Sequence, residues 1–326
     1  MNPRRRRFLH LLAGAAALSA APGGARAQSW PTRPVRIIVP FQPGGSTDIF
    51  ARLAAQKLSE QFGKQFYVEN VAGATGNVGT AQAARAAPDG HTFLIAFSSY
   101  VVNPTLFAKL PFDPDKDFAP VTLAVAAPNL VTVNPSLPAR NLKELVALIK
   151  SNPGKYTYTS GGVGTQAHLL AEMLRLSQGL DIVHVPFNGA APAIASAIAG
   201  HTPIAWATIA SAKQALESGQ LRALAVASKT RSQLLSDTPT TAEAGYPQIE
   251  GDSWVGLLAP AGTPNEIIGA VQREIAKIIA LPDVKERLPA LGFEAVGSTP
   301  EEFAARIKVE TEIWGKVIRA ANIKPE

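Results

Sequence analysis

From residue 35 onward, short β-branched apolar runs alternate with amphipathic stretches, and glycine marks the junctions. Val35–Phe41 (VRIIVPF) predicts a strand that ends in Gln42-Pro43-Gly44-Gly45. After Ser46-Thr47-Asp48, apolar residues at Ile49, Phe50, Leu53, Ala54 and Leu58 recur at helical spacing, so the unit reads as strand, glycine turn, capped helix. Phe66–Val71 predicts a second strand running into Gly73-Ala74-Thr75-Gly76-Asn77-Val78-Gly79, with a helix over Thr80–Ala87. His91–Phe97 predicts a third strand, ending at the turn Ser98-Ser99-Tyr100. Such alternation argues for a layered α/β fold with a mostly parallel sheet.

Phe118–Val133 is extended and apolar, interrupted only by Pro120 and Pro128, and suits a segment that leaves one sheet for another. A second series follows: a helix at Leu142–Ser151, a strand at Tyr156–Ser160 and the turn Gly161-Gly162-Val163-Gly164-Thr165. Next come a helix over Gln166–Ser177, a strand over Asp181–Val185, the turn Phe187-Asn188-Gly189 and a small-residue helix, Ala190–Gly200. Ile204–Ala207 predicts a strand, and Leu221–Ser228 a second long apolar stretch leading back to the first sheet. Trp254–Ala259 is a further strand; helices close the chain at Asn265–Ala280, capped at Thr263, and Pro300–Ala321, capped at Thr299 with Glu302 three residues on. Two similar halves joined by two crossovers imply a discontinuous first lobe, 28–125 plus 229–326, and a continuous second lobe, 126–228. A ligand then belongs in the cleft between them.

The first 27 residues stand apart. Arg4 to Arg7, an apolar stretch Phe8–Ala21, the breaker Pro22-Gly23-Gly24 and Ala25-Arg26-Ala27 form an export signal cleaved after Ala27. Arg5-Arg6-Arg7-Phe8-Leu9 resembles a twin-arginine signal, and an ordinary secretory signal with surplus arginine is the other reading. The apolar run is short of the roughly 20 residues a membrane span needs. The mature chain is therefore expected in the periplasm. This segment holds five of the 31 Lys and Arg and no acid, so the remainder carries 26 basic against 25 acidic residues. No basic face survives to suggest nucleic acid as a partner. At 326 residues, 46% hydrophobic and without cysteine, the chain has enough core for two domains and lacks disulfides, thiolate metal sites and cysteine nucleophiles.

The candidate chemistry lies in the turns. Gly44–Asp48, Gly73–Thr80, Gly161–Thr165 and Phe187–Ala190 each follow a strand and precede a helix, where free backbone N–H groups and the positive end of the helix dipole suit a carboxylate or phosphate. Glycine lets a ligand approach the main chain closely, and any one such turn is ordinary punctuation; the weight lies in several converging. Ser46, Thr47, Ser98, Ser99, Thr165 and Asn188 offer neutral hydrogen bonds. Asp48 either complements the helix dipole, the default, or locks its loop through backbone N–H groups. Gly73–Gly79 lacks the acid of a dinucleotide fold, Gly161–Thr165 lacks the lysine of a P-loop, and Ser46 is not in a nucleophile elbow. The histidines (His10, His91, His168, His184, His201) show no metal spacing, and His168, one turn beyond Gly164-Thr165, either faces the cleft or packs away from it. No cofactor and no metal are expected. A binder comes first.

PVRIIVPFQPGGSTDIFARLAAQKLSEQFG, VENVAGATGNVGTAQAARAAPDGHTFLIA, YTSGGVGTQAHLLAEM, VPFNGAAPAIASAIAG and LRALAVAS resemble the extracytoplasmic solute receptors of tripartite tricarboxylate transporters, the Bug receptors, over nearly the whole mature chain. The resemblance implies a two-lobed periplasmic binding protein fold of type II, with two mixed sheets flanked by helices and joined by two crossover strands. It implies a small organic acid as ligand, a membrane permease of two further proteins as partner, and a monomeric receptor. It assigns the carboxylate to backbone N–H groups and waters of loops matching Phe41–Asp48 (Phe41, Gly44, Gly45, Ser46, Asp48) and Ser160–Thr165 (Ser160, Gly161, Gly162, Gly164, Thr165). Gly76, Asn77, Ser98 to Tyr100, and Phe187, Asn188 and Gly189 would line the rest of the cleft.

One stretch departs from the family pattern. An acidic residue is common early in the segment matching His201–Ile204 and near Ala207, where this chain has Pro203 and Ala207 flanking Trp206. That weakens the case for an amino-acid ligand, whose ammonium would need a carboxylate. Trp206 is either a packed core residue, the favoured reading, or a stacking surface for an aromatic acid. Two rivals remain: a periplasmic hydrolase using Ser46 or Ser160, and a sensor subunit signalling to a membrane kinase.

Overall fold

Sixteen residues, Phe118–Val133 (β4), organise the sheet. The computed structural model describes residues 30–325 apart from Gly45 and Asn188. The chain divides into two units, Met1–Thr32 and Arg33–Glu326, and the export signal lies outside the described residues. In the second unit β1 (Val35–Val39), β2 (Phe66–Asn70) and β3 (Thr92–Phe97) are parallel, in the order β2-β1-β3. Three helices alternate with them: α1 (Ser46–Phe62), α2 (Asn77–Ala84) and α3 (Ser99–Leu106). After β4 come α4 (Leu142–Lys150), β5 (Thr157–Ser160), α5 (Gln166–Gln178), β6 (Val183–Pro186), α6 (Ala190–Ile198) and β7 (Ile204–Thr208). Here too three strands are parallel, in the order β7-β5-β6. The chain finishes with α7 (Ile209–Glu217), β8 (Arg222–Val226), β9 (Asp252–Pro260), α8 (Asn265–Ala280), α9 (Pro282–Arg287), β10 (Glu294–Ala295) and α10 (Pro300–Ala320).

The whole path reads β2-β1-β3-β9-β4-β7-β5-β6, with β8 and β10 also paired to β4. The α/β class expected from the alternation is present, and the sheet is mixed, as the resemblance implies, rather than mostly parallel. β4 runs antiparallel to β9 from Phe118 to Pro128, then to β7 from Asn129 to Val133. Its two prolines sit where a missing N–H does least harm. Pro120 is at an irregularity in register against β9, and Pro128 is the last residue paired to β9 before β7 takes over. β8 pairs with β4 from Leu130 to Val133, and the return to β9 runs through residues 227–251, tied by Ala227 N donating to Asn129 O at 2.8 Å.

Thirteen consecutive residues of β4, Val121–Val133, are buried, and the core runs from Ile38 and Leu94 through Leu123 and Val131 to Tyr158. Trp206 belongs to it, 3% exposed in β7 opposite Val131, so it packs rather than presents a stacking face. Four local expectations are corrected. Ser99-Tyr100 is not a turn but the start of α3, a helix hidden in the sequence by Pro104 in its interior. Tyr100 is engaged elsewhere: its ring packs on Phe112 and Phe118, and its hydroxyl donates to Pro114 O at 2.7 Å. α7 is an unforeseen helix capped by Thr208. Thr263 does not cap α8; its hydroxyl donates to Pro260 O and Pro264 holds the cap position. Thr299 and Glu302 do form the capping box of α10.

Where β9 passes β4, Gly256 has no room for a side chain: a Cβ would stand 2.4 Å from Phe303 Cζ and 2.9 Å from Thr122 O. Gly256→Ala is expected to lower stability by about 1–3 kcal/mol in a urea titration, the usual cost of overpacking.

Candidate functional site

The turn after β1 is held from below by one carboxylate. Gly44 has φ +90°, and its N–H donates to Asp48 Oδ2 at 2.9 Å. Arg52 Nε donates to the same oxygen at 2.9 Å and Asn70 Nδ2 to Oδ1 at 2.8 Å; Asn70 also holds Phe41 O. Asp48 is 3% exposed in the first turn of α1, so it locks the loop as well as complementing the dipole. Burial opposes its charge, but the bonds from Arg52, Gly44 and Asn70 hold its carboxyl below the usual range.

The next turn is strained. Gly73, Ala74, Thr75 and Gly76 all have positive φ (142°, 46°, 53° and 91°), a left-handed run that Ala and Thr resist. It aims Thr75 O at Asn103 Nδ2, 3.1 Å away, while the same amide donates to Asn77 Oδ1 at 2.8 Å. Asn103 on α3 therefore ties this turn to the one after β3. Nothing in the sequence singled it out, since it lies in the helix that Pro104 concealed. Gly76 lies against Phe41, whose ring meets Phe97 edge-on at 5.7 Å. Ser98, at the cap of α3, is 1% exposed with its hydroxyl unpartnered, as is Asn103 Oδ1.

In the other half, Gly162 and Gly164 take φ +139° and +75°, and Thr165 caps α5 by accepting from His168 N. Phe187 N donates to Ser160 O at 3.3 Å and Gly189 N to Gly161 O at 3.0 Å, so the turns after β5 and β6 are bound to each other. A Cβ on Gly164 would lie 2.8 Å from Leu106 Cδ2 of α3. The turn after β5 thus packs against α3 of the other half. Gly45 and Asn188 lie outside the described residues, and of Ser46 only its position at the start of α1 is described.

His168 stands behind the turn rather than in front of it. It is 4% exposed, and Nδ1 accepts from Gly164 N at 3.1 Å, which places its ring proton on Nε2. The ring stacks on His184 at 3.9 Å and on Tyr158 at 6.3 Å; His184 Nε2 lies 2.8 Å from Ser160 Oγ. That pair has the spacing of a nucleophile and base, but Ser160 is 0% exposed and its hydroxyl also reaches Gly162 O. The geometry braces the loop. Burial, with Arg175 nearby, pushes His168 down to about 4; burial and His168 push His184 down to about 3. Among the described residues no group of three or more His, Cys, Asp or Glu is arranged to hold a metal, and no helix is long and apolar enough to cross a membrane.

Both histidines fold in their neutral form, so their contribution is complete above the unfolded value near 6.5 and drains away as pH falls toward 4. Unfolding free energies from urea titrations at pH 7.5 and 4 are expected to fall further in the wild type than in His168→Asn, which keeps an acceptor for Gly164 N–H, by more than about 1 kcal/mol. Parallel curves would remove His168 as the cause.

Residues 50–323 match the family described as the tripartite tricarboxylate transporter family receptor. BugT of Bordetella pertussis is 35% identical over 91% of this chain and 92% of its own. Among solved structures, Rpa4515 of R. palustris with adipate is 34% identical, with a TM-score of 0.79 over 91% of this chain and 100% of that one. MatC (Rpa3494) of Rhodopseudomonas palustris with bound malate is 31% identical, with a TM-score of 0.74 over 89% and 100%. Match length and fold agree, and the chain belongs to the receptor family of the tripartite tricarboxylate transporters, the Bug receptors.

Proposed function

We propose that this chain is a periplasmic receptor that closes on a small organic mono- or dicarboxylate and presents it, chemically unchanged, to the membrane permease of a tripartite transporter. The observation that supports the reading is the set of glycine turns that open α1, α2, α5 and α6, with Ser98 at the start of α3. Main-chain N–H groups and five helix dipoles there favour an anion without any cationic side chain. The buried, unpartnered Ser98 hydroxyl supplies a further bond. Adipate and malate in the two solved relatives support an acid as the ligand class. Residues 28–125 with 229–326, and 126–228, serve as the two lobes, pivoting where β4 changes partners beside Pro128. Phe41, Gly44, Gly76, Asn77, Ser98, Ser99, Phe187 and Gly189 line the ligand, with Ser160 to Thr165 closing from the opposite lobe. Asp48 and His168 hold two of these loops from behind.

A ligand that binds only the folded chain raises its melting temperature. A panel of aliphatic and aromatic mono- and dicarboxylates is expected to contain at least one that does so by several degrees, recovered unaltered afterwards. Gly44→Leu and Gly162→Leu should abolish that shift while the unliganded melting temperature stays within a few degrees. A panel without a hit, or turnover of the hit, would sink the proposal; retained shifts in both variants would show the loops to be wrong.

A further inference from the structure

The turn between β2 and α2 engages all four of its carbonyls, Gly73 to Gly76. Gly73 O accepts from Gly76 N at 3.0 Å and from Val78 N at 3.4 Å, and Ala74 O accepts from Asn77 N. Gly76 O accepts from Thr80 Oγ1 at 2.8 Å. Thr75 O alone is taken by another element, accepting from Asn103 Nδ2 of α3 at 3.1 Å. A left-handed run through Ala74 and Thr75 is held only where its surroundings fix it, and such strain gathers at binding sites. What the turn has left to offer is donors.

The same carbonyl sets the direction of two side-chain amides in succession. A backbone oxygen can only accept, so Thr75 O fixes the NH2 of Asn103 toward itself. The second N–H of that group reaches Asn77 Oδ1 at 2.8 Å, and this in turn fixes Asn77. Reversing Asn103 would set its oxygen against Thr75 O and Asn77 Oδ1 together. The native direction holds even though it leaves Asn103 Oδ1 buried without a donor, which is costly. With Oδ1 of Asn77 held inward, its planar amide carries the NH2 on the other side, where no described residue accepts from it. That nitrogen, unlike Asn103 Oδ1, is not closed off from solvent. Asn77 is the first residue of α2, so its NH2 adds to the positive end of the helix dipole.

We propose that Asn103 is a positioning residue for ligand selection: it holds the Asn77 amide with its NH2, not its carbonyl, toward the bound molecule, so that this wall takes a carboxylate or carbonyl oxygen and turns away an ammonium or an amide NH2. An unheld asparagine could present either end and would select neither. Asn103 does not touch the ligand. It acts by denying Asn77 the second orientation, and the strained turn supplies the carbonyl against which that orientation is set. What the NH2 meets rests on the carboxylate reading proposed above; the direction in which it points does not.

The test is solvent exchange of side-chain NH2 protons, read by NMR on the mature chain labelled at asparagine, first alone and then with succinate, malate, adipate or benzoate. Without ligand, the Asn77 protons are expected to exchange at least about tenfold faster than those of Asn103, which are both bonded and buried. An acid that raises the melting temperature should slow the Asn77 protons and leave those of Asn103 unchanged. Asn103→Asp, of the same shape, offers Asn77 an oxygen whether or not its carboxyl is protonated. In that variant Asn77 should turn round, its protons becoming the slow ones without ligand, and acid affinity should fall at least about tenfold. The wild-type arm needs no variant to fold. Asn77 protons as slow as those of Asn103 in the unliganded wild type, a bound acid that leaves them fast, or wild-type affinity in Asn103→Asp would each overturn the inference. If no acid binds, the receptor reading fails instead, and the unliganded rates still decide which way the amide points.

Discussion

Hydrogen bonding along both edges of β4 is the constraint on which the remaining structure depends. β4 stands between β9 and β7 in the strand order, and β10 and β8 also pair with it. With both edges satisfied and almost every side chain buried, the strand admits little variation in register, and two sets of parallel strands are set at fixed distances from it. The strands that carry the glycine turns are all referred to this single segment. Pro128 permits the arrangement, since a residue with no N–H to offer can end one ladder and begin another without leaving a donor stranded.

Much of this was legible in the residues. β4 was visible as an apolar run too long for one ordinary strand, and its prolines marked the irregularities that the pairing later explained. The turns at Gly44, Gly162 and Gly189 were readable because a positive φ after a strand demands glycine. α3 was not readable, because Pro104 argues against a helix locally while burial of Tyr100, Val101, Val102 and Leu106 decides for it. Asn103 went unseen for the same reason. Its role rests on a partner 26 residues away, and no local pattern encodes that.

His168 shows where sequence spacing stops. Its place one turn beyond Thr165 restricted it to the neighbourhood of the loop but left both faces open. The distance to Gly164 N and the stack on His184 put it behind. Asp48 resolved the other way, serving both readings, because a carboxylate has enough lone pairs to accept from Gly44, Arg52 and Asn70 together. In both loops the main chain is shaped by side chains that do not face the mouth of the site.

The left-handed run from Gly73 to Gly76 carries a consequence for engineering. Ala74 and Thr75 each cost about 1–2 kcal/mol there, and glycine or asparagine would relieve it. A designer seeking thermostability would begin with those two positions. The gain in melting temperature would come with a slacker bend between β2 and α2, at the carbonyl by which Asn103 ties that turn to α3.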